Sequence, residues 1–405
     1  MENSVGKYQY VKDFEKLGFG MFVHFGLYSG YEKGEWYYYL NPKAEKEKYF
    51  DSYKKFKVSK NWAKNLVKTA KAAGCKYITI TTKHHEGFAL YDASGLNEYD
   101  SLHSPCKRDL LKEFVEECNK QGIIPFFYHA LLDWHHPDYY SNFPSYIDYL
   151  VKSVEILCTK YGKIGGLWFD GIWDACHIND DWQEDRLYAT IRKYQPHAII
   201  MNNTGLQRLG EIGHPEIDSV TFERGQTRPT DISDRYRTGE MAQVLNDHWG
   251  YAKSDINYKS VGYLIENLYE CRMNKCNFNL NVGPMGNGEL RNIDKGYMEC
   301  IGIFNKANKN ILYDIIGGRK INDEVNLLET ADAKYLFIKN VEMSSDTNVA
   351  YGAANRWIEL PDDFKVKSAK WLDDNSKVEI EKNKIKVKPF SYGYSLTARI
   401  LKIKK

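Results

Sequence analysis

Short apolar runs alternate with longer amphipathic stretches over about the first 310 residues of the chain. One such stretch, residues 109–121, places apolar side chains three and four positions apart, which predicts a helix with one buried face. Runs that are apolar on both faces and alternate with helices predict a parallel sheet. The predicted strands cover residues 20–26, 76–82, 123–129, 164–170, 198–203, 219–223 and 277–282, and the predicted helices cover residues 59–73, 109–121, 146–161 and 182–194.

The number of predicted strands bears on the fold class. Seven of them in roughly 300 residues favour a (β/α)8-type barrel over an open, doubly wound sheet. No glycine-rich dinucleotide or phosphate loop follows residues 20–26, which removes the main reason to prefer the open form. Residues 204–250 are rich in Gly, Pro and Asp and show little helical periodicity. The sequence therefore predicts an α/β fold with a TIM-like barrel that is irregular in this stretch.

The pattern changes after about residue 315. Apolar and polar residues alternate with a period of two, most clearly over residues 378–388, and turn residues separate the runs. This pattern is typical of an antiparallel β-sandwich with one solvated face. We therefore predict a catalytic barrel over residues 1–312 and a small C-terminal β-sandwich domain over residues 313–405, with a structural role for the latter.

Composition excludes several classes of partner. The formal net charge is +2 with 27% charged residues, which does not favour a nucleic-acid partner. No stretch approaches the ~18–20 apolar residues of a membrane span, and residues 1–7 are polar. We expect no membrane partner and a cytoplasmic location, or secretion if a leader has been removed. The eight cysteines contain no C-x-x-C pair, so we predict neither a metal site nor a disulfide framework.

Polar and aromatic side chains follow nearly every predicted strand of the barrel. Because the carboxyl ends of parallel barrel strands meet at one face, we expect these side chains to surround one pocket. Each of them also has a structural interpretation, such as a buried aromatic or a histidine that only holds a loop. Six of the seven strand ends would then carry such residues by accident. The residues concerned include His24, Glu35, Trp36, His84, His85, Tyr128, Trp168, Asp170, Asn202, Asn203, Glu223 and Arg224.

The histidine pair carries a geometric condition. His84 and His85 are adjacent, and adjacent side chains on a strand point to opposite faces. Both can reach one pocket only if the strand has already opened into its loop.

Two chemistries could use such a pocket. A metal-dependent barrel hydrolase would take His24, His84 and His85 as ligands, but the chain has no H-x-H at its first strand and no H-E-x-x-H helix. Glycoside hydrolysis by two carboxylates would take Asp170 at the end of the fourth strand and an acid two strands later. Aromatic residues make up 14% of the chain and could stack on sugar rings. A sugar-binding protein without activity is the third alternative.

A series of motifs in barrel order resembles one known family. The sequence from residue 19 to 29 is FGMFVHFGLYS, residues 83–88 are KHHEGF, and residues 167–171 are LWFDG. NDHWGY at 246–251 and NLNVGP at 279–284 follow. The chain resembles the α-L-fucosidases of glycoside hydrolase family 29. The resemblance implies a retaining exo-α-L-fucosidase that releases terminal L-fucose from fucosylated oligosaccharides or glycoconjugates through a covalent fucosyl-enzyme intermediate. It implies no cofactor and no metal, and a homo-oligomer is compatible with it.

The resemblance also implies roles for individual residues. Asp170 corresponds to the family's nucleophile. Relatives often place an Arg after the Asn pair of the fifth strand, where this chain has Thr204, so Arg224 or Arg228 is the predicted substitute. The residues expected to bind fucose are His24, Glu35, Trp36, His84, His85, Tyr128, Trp168 and Arg224.

The resemblance also implies a general acid/base, which in the family is commonly a Glu in a T-x-E pattern. Thr221-Phe222-Glu223 matches it, which favours Glu223. Glu240 is the alternative, although Gly239 stands where relatives often carry Trp. A retaining enzyme places the two carboxyl groups about 5–5.5 Å apart. The neighbouring negative charge is expected to raise the pKa of the acid.

Overall fold

The computed structural model describes residues 7–41, 45–93, 95–345, 348, 354–361, 364 and 366–404 of the chain. These residues divide into two compact units, one drawn from Met1–Tyr258 and Asn277–Met298 and the other from Lys259–Cys276 and Glu299–Lys405. The antiparallel strands begin at residue 317. The domain limit predicted after residue 312 stays a prediction.

The first unit is built around a nearly closed parallel sheet. Within the described residues the sheet has eight strands in the order β5-β4-β3-β2-β1-β8-β7-β6, and the gap lies between β5 and β6. Across this gap the N–H of Asp218 donates to the carbonyl of Ile200 at 3.0 Å. The (β/α)8-type barrel is confirmed. Its strands are β1 Phe19–Val23, β2 Tyr77–Lys83, β3 Ile124–Ala130, β4 Gly166–Asp170, β5 Ile199–Asn202, β6 Ser219–Glu223, β7 Thr238–Val244 and β8 Cys276–Val282.

Helices follow the first four strands. Helix α6 shows why they form: Asp109 caps its first turn by accepting from the Lys112 N–H, and Gly122 ends it at φ 73°. No helix of the described chain is long and apolar enough to cross a membrane. The helices are α1 Gln9–Leu17, α2 Tyr28–Tyr31, α3 Tyr37–Leu40, α4 Lys46–Phe50, α5 Trp62–Ala73, α6 Leu110–Gln121, α7 Pro137–Ser141, α8 Phe143–Lys160, α9 Glu184–Tyr194, α10 Val261–Met273 and α11 Asn292–Ala307.

Aromatic side chains fill the barrel, and α1 packs against them. The cluster joins Val11 and Phe14 of α1 to residues from six strands. Gly20 on β1 leaves the space that the Tyr77 ring occupies, since a Cβ there would lie 2.3 Å from that ring. The barrel residues of the cluster are Phe22, Tyr77, Phe126, Tyr128, Ala130, Trp168, Ile199, Met201 and Ala242.

The irregular stretch of the barrel was predicted, but one of its strands was not. Residues 203–260 are all described and contain no helix, so loops alone connect β5, β6 and β7. Strand β7 has the sequence TGEMAQV and is buried along its whole length. The sequence analysis missed it because Glu240 and Gln243 make it look like a loop. Buried partners compensate this polarity: Glu240 accepts from the Tyr77 hydroxyl at 2.5 Å and from Asn279 Nδ2 at 3.0 Å.

The second unit carries the antiparallel strands. In its described residues one sheet has the order β13-β16-β11-β10-β9 and a second has the order β12-β15-β14. The predicted β-sandwich is thereby confirmed, and the alternating residues 378–388 include β14 and β15. The strands are β9 Gly317–Lys320, β10 Val325–Glu329, β11 Lys334–Ile338, β12 Arg356–Glu359, β13 Ser368–Trp371, β14 Ile380–Glu381, β15 Lys384–Val387 and β16 Arg399–Lys404.

A buried ion pair holds the loops after β2 and β3. Lys83 Nζ lies 2.8 Å from Asp133 Oδ2, and the two side chains are 0% and 2% exposed. Asp133 Oδ1 accepts from the backbone N–H groups of His135 and His136, each at 2.9 Å. Lys83 Nζ also donates to the Tyr146 hydroxyl at 3.2 Å, so both members of the pair have a further hydrogen-bond partner, as a buried pair requires.

We expect Lys83→Met to lower the free energy of unfolding by about 3–5 kcal/mol, because it leaves Asp133 buried without its counter-charge. Urea denaturation followed by circular dichroism measures this loss. Lys160→Met is the matched control, since the Lys160–Asp92 pair is 41% and 25% exposed and should contribute less than about 1 kcal/mol. Equal losses in the two variants would contradict the assignment.

Candidate active site

A cavity of about 1340 Å³ opens at the carboxyl ends of the barrel strands. Ten of the eleven predicted site residues line it, and Glu240 does not. The cavity is therefore formed by strand ends and their loops, as the barrel geometry requires. The predicted residues that line it are His24, Glu35, Trp36, His84, His85, Tyr128, Trp168, Asp170, Glu223 and Arg224.

Asp170 is the last residue of β4, and three donors hold its carboxylate. Oδ1 accepts from Trp173 Nε1 at 2.8 Å and from Asn203 Nδ2 at 3.2 Å, and Oδ2 accepts from the Tyr128 hydroxyl at 2.9 Å. Burial raises the pKa of Asp170 to about 6, while these hydrogen bonds act in the opposite direction. Gly171 follows at φ 111°, a conformation that favours glycine and turns the chain away from the strand.

Glu223 is the last residue of β6, and its carboxylate also lines the cavity. Asn203 Nδ2 lies 3.4 Å from its Oε2, and Arg224 Nε lies 3.9 Å from its Oε1. Burial raises the pKa of Glu223 to about 7, and the negative charge of Asp170 adds to the effect. Asn203 Nδ2 is within hydrogen-bond distance of both carboxylates, so the Asn203 amide lies between Asp170 and Glu223.

Glu240 occupies a different place. It lies within β7 and is only 1% exposed, and its oxygens accept from Tyr77 and Asn279 in the barrel interior. Burial raises its pKa to about 7 as well. A general acid must reach the leaving oxygen of a substrate, so this position favours Glu223 over Glu240. The catalytic role of either residue stays a prediction.

The histidine pair meets its geometric condition. Strand β2 ends at Lys83, and the pairing of β2 with β3 shifts register between Thr81 and Lys83. His84 and His85 follow in the loop, and the His85 carbonyl accepts from the N–H of Trp134 at 2.7 Å. Both imidazoles therefore border the cavity although they are adjacent in sequence.

Burial keeps three histidines of the cavity neutral, namely His24, His84 and His85. Burial lowers the pKa of His24 to about 3 and the pKa values of His84 and His85 well below their usual range. Asn281 Nδ2 donates to the Trp249 carbonyl at 2.7 Å, so its Oδ1 faces His24 Nδ1 at 2.6 Å. His24 Nδ1 must then carry the proton, which leaves Nε2 as an acceptor. A neutral imidazole with a free acceptor suits a hydroxyl group.

Aromatic rings form one wall of the cavity. The Tyr128 ring lies 5.5 Å from both His84 and Trp168 and is nearly parallel to each. The Trp36 ring lies 5.3 Å from His85 and 6.1 Å from Trp173. Such surfaces pack against the apolar face or a methyl group of a sugar.

Glu35 and Arg224 are two further polar residues of the lining. Burial raises the pKa of Glu35, whose Oε2 accepts from the Gly250 N–H at 2.8 Å. Arg224 has a left-handed backbone with φ 53°, and its guanidinium lies 4.9 Å from the centre of the Trp249 ring. The left-handed backbone thus places a cation beside the Glu223 carboxylate.

The described residues contain no group of three or more His, Cys, Asp or Glu side chains that could hold a metal ion. His24 Nδ1 is engaged by Asn281, and the His84 and His85 rings pack against each other at 4.2 Å. The arrangement therefore does not favour the metal-hydrolase alternative. Paired carboxylates with raised pKa values favour the glycosidase alternative.

Comparison with known proteins identifies the family. The family model for alpha-L-fucosidase matches residues 2–310 of the chain. The chain belongs to the alpha-L-fucosidase family. The resemblance stated from the motifs is thus confirmed.

Named relatives agree with this assignment. A putative alpha-L-fucosidase of Caenorhabditis elegans is 26% identical over 71% of this chain and 63% of its own length. Alpha-L-fucosidase isoenzyme 1 from Paenibacillus thiaminolyticus is 28% identical, with a TM-score of 0.83 over 98% of this chain and 99% of that chain. The Bacteroides thetaiotaomicron family 29 enzyme, solved as a trapped covalent intermediate with 2-fluoro-fucosyl fluoride, shares the fold at 22% identity and a TM-score of 0.79, over 97% of this chain and 95% of that chain.

Two residues of this fucosidase-family site escaped the sequence analysis. Asn203 was noted at a strand end but was given no role, although it contacts both carboxylates. Trp173 lies three residues after Asp170 and donates to it, and nothing in a Gly-Ile-Trp loop indicates such a contact. Both contacts depend on how the loops after β4 and β5 fold, and local sequence pattern does not contain that information.

We expect this family member to hydrolyse an aryl α-L-fucoside with a bell-shaped pH profile of kcat/KM that peaks between about pH 6 and about pH 7. Activity should fall below this window because Asp170 becomes protonated. It should fall above the window because Glu223 loses its proton. The profile of Glu223→Gln should lack the alkaline limb. A wild-type profile that stays flat to pH 9 would contradict these assignments.

Proposed function

We propose that the chain is a retaining exo-α-L-fucosidase that releases terminal L-fucose from fucosylated oligosaccharides or glycoconjugates. Its membership of the alpha-L-fucosidase family supports the choice of sugar. The observation that carries the proposal is the pair Asp170 and Glu223, bridged by one amide in a cavity of about 1340 Å³. Glycosidases typically use two neighbouring carboxyl groups, one as nucleophile or base and the other as general acid.

The spacing of the pair supports retention of anomeric configuration. Asp170 Oδ1 lies 3.2 Å and Glu223 Oε2 lies 3.4 Å from the same nitrogen, so the two oxygens are separated by no more than the sum of these distances. This limit accommodates the ~5–5.5 Å of retaining enzymes and reaches only the lower edge of the ~6.5–9.5 Å of inverting enzymes. A water molecule would have little room between the two groups.

The first step transfers fucose to the enzyme. The ionised Asp170 attacks the anomeric carbon, while Glu223 donates its proton to the glycosidic oxygen. A bond forms between the Asp170 carboxylate and the anomeric carbon, and the bond from that carbon to the leaving oxygen breaks. In the second step the Glu223 carboxylate takes a proton from water, whose oxygen attacks the same carbon. The bond between the Asp170 oxygen and the anomeric carbon breaks, so fucose leaves, Asp170 is ionised again and Glu223 is protonated again.

The other lining residues fit a neutral deoxy sugar. The neutral imidazoles of His24, His84 and His85 can pair with hydroxyl groups. Trp36 and Trp168 offer an apolar surface to the methyl group at C5, where most other sugars carry a hydroxymethyl group. A binding protein without activity would not need two carboxyl groups with raised pKa values, so this alternative is not favoured.

We expect Asp170→Gly to lower kcat on an aryl α-L-fucoside by roughly a thousandfold or more, because the nucleophile is gone. Added azide or formate should restore part of the activity, and the azide product should be fucosyl azide, detected by mass spectrometry. Asp174→Asn is the control, since Asp174 lies four residues away, accepts from Tyr139 and does not line the cavity. Undiminished turnover by Asp170→Gly would refute the nucleophile assignment.

We expect Glu223→Ala to lose about 100- to 10,000-fold on natural fucosides, whose leaving groups need protonation. With an aryl fucoside that has an activated leaving group, the rate of the first step should fall far less. Glu240→Gln keeps the shape of its buried side chain and should show no dependence on the leaving group. If this dependence appears in Glu240→Gln and not in Glu223→Ala, the acid/base is Glu240.

A further inference from the structure

One side-chain amide joins the two carboxylates of the site. Asn203 Nδ2 donates to Asp170 Oδ1 at 3.2 Å and to Glu223 Oε2 at 3.4 Å. Its Oδ1 accepts from the Gly205 N–H at 3.1 Å, which fixes the orientation of the amide. An amide nitrogen carries two hydrogens, so Asn203 can serve both carboxylates at the same time.

The backbone holds this amide in place. The N–H of Asn203 donates to the Phe169 carbonyl at 2.9 Å, which ties the end of β5 to the residue before Asp170. Gly205 has φ 93°, and a Cβ at that position would lie 3.1 Å from Trp173. Trp173 is itself a donor to Asp170. The position of Asn203 is thus fixed by the same elements that fix the nucleophile.

We propose that Asn203 is a positioning residue that couples Asp170 and Glu223. It holds the two carboxyl groups at their working separation, and it stabilises whichever of them carries the negative charge. This inference rests on the proposed function of the pair. It differs from a role in substrate binding, since Asn203 acts through the two carboxylates that its Nδ2 contacts.

The reaction requires such a shared donor because the charge changes place. Before the first step Asp170 is ionised and Glu223 is protonated. When the bond to the anomeric carbon forms, Asp170 becomes a neutral ester, and Glu223 is ionised because its proton has gone to the leaving oxygen. The pair carries one negative charge throughout, and the second step moves it back. A donor that contacts both groups can stabilise the charge in either place without moving.

We expect Asn203→Ala to lower kcat on an aryl α-L-fucoside by about 10- to 100-fold, the usual effect of losing hydrogen bonds to charged groups. KM should change little, because the amide does not contact the sugar. Both limbs of the pH profile should move to higher pH, since the lost N–H groups favour the ionised form of each carboxyl. Asn203→Asp keeps the shape but adds a third carboxylate, so the limbs should move further in the same direction.

A matched control is available in the same unit. Asn97 Nδ2 donates to the Tyr149 hydroxyl at 2.7 Å and does not line the cavity. Asn97→Ala should leave both limbs of the profile in place. Thermal unfolding of each variant separates lost activity from lost folding.

The results that would overturn the inference are distinct. A raised KM with an unchanged kcat in Asn203→Ala would make Asn203 a substrate contact. A lower kcat with unmoved limbs would make it a packing residue. If the wild type hydrolyses no α-L-fucoside, the proposed function fails. The coupling is then decided by NMR titration of 13C-labelled carboxyl groups in the wild type and in Asn203→Ala. Equal titration curves would overturn it.

Discussion

The buried ion pair between Lys83 and Asp133 holds the two loops on which the histidine pair depends. Lys83 ends β2 at the point where its register with β3 shifts, and Asp133 binds the backbone of the loop after β3. Because the chain leaves the sheet here, His84 and His85 both border the cavity. The Trp134 N–H, in the loop after β3, donates a hydrogen bond to the His85 carbonyl and so holds the His85 backbone in place. A single buried charge pair, with its hydrogen bonds satisfied, thus shapes one side of the pocket.

Burial shifts the pKa values of the two carboxyl groups and of three histidines in the pocket. It raises the pKa of Asp170 to about 6 and the pKa of Glu223 to about 7, and it lowers the pKa of His24 to about 3. These opposite directions have one cause, since a low dielectric disfavours the charged form of acids and bases alike. Hydrogen bonds then make the pKa of Asp170 lower than the pKa of Glu223. Asp170 accepts from Trp173, from Tyr128 and from the shared amide, whereas Glu223 has the shared amide and the nearby Arg224. In the proposed mechanism, Asp170, the carboxylate with more hydrogen-bond donors, is the one that must be ionised for attack.

The order of strands and the place of the pocket could be predicted from sequence, because apolar runs mark buried strands and parallel strands deliver their ends to one face. Strand β7 could not be predicted from sequence, because Glu240 and Gln243 are polar but buried. The partners of Glu240, Tyr77 and Asn279, lie far away in the chain. For the same reason the roles of Trp173 and Asn203 could not be predicted from sequence. Their contacts with Asp170 arise from loop conformation, and the spacing of residues says nothing about it. The T-x-E pattern and the position of the side chain both favour Glu223, whose role stays a prediction.

The neutrality of the histidines has a consequence for the chemistry. Glycoside cleavage passes through a transition state with positive charge at the anomeric carbon. Imidazolium groups around the sugar would oppose that charge in a medium of low dielectric, where such repulsion is strong. Neutral His24, His84 and His85 can hold the hydroxyl groups without this penalty. The negative charge that opposes the developing cation is then the single charge shared by Asp170 and Glu223. Deep burial of these three histidines is therefore compatible with catalysis, because it keeps them uncharged when the pH falls.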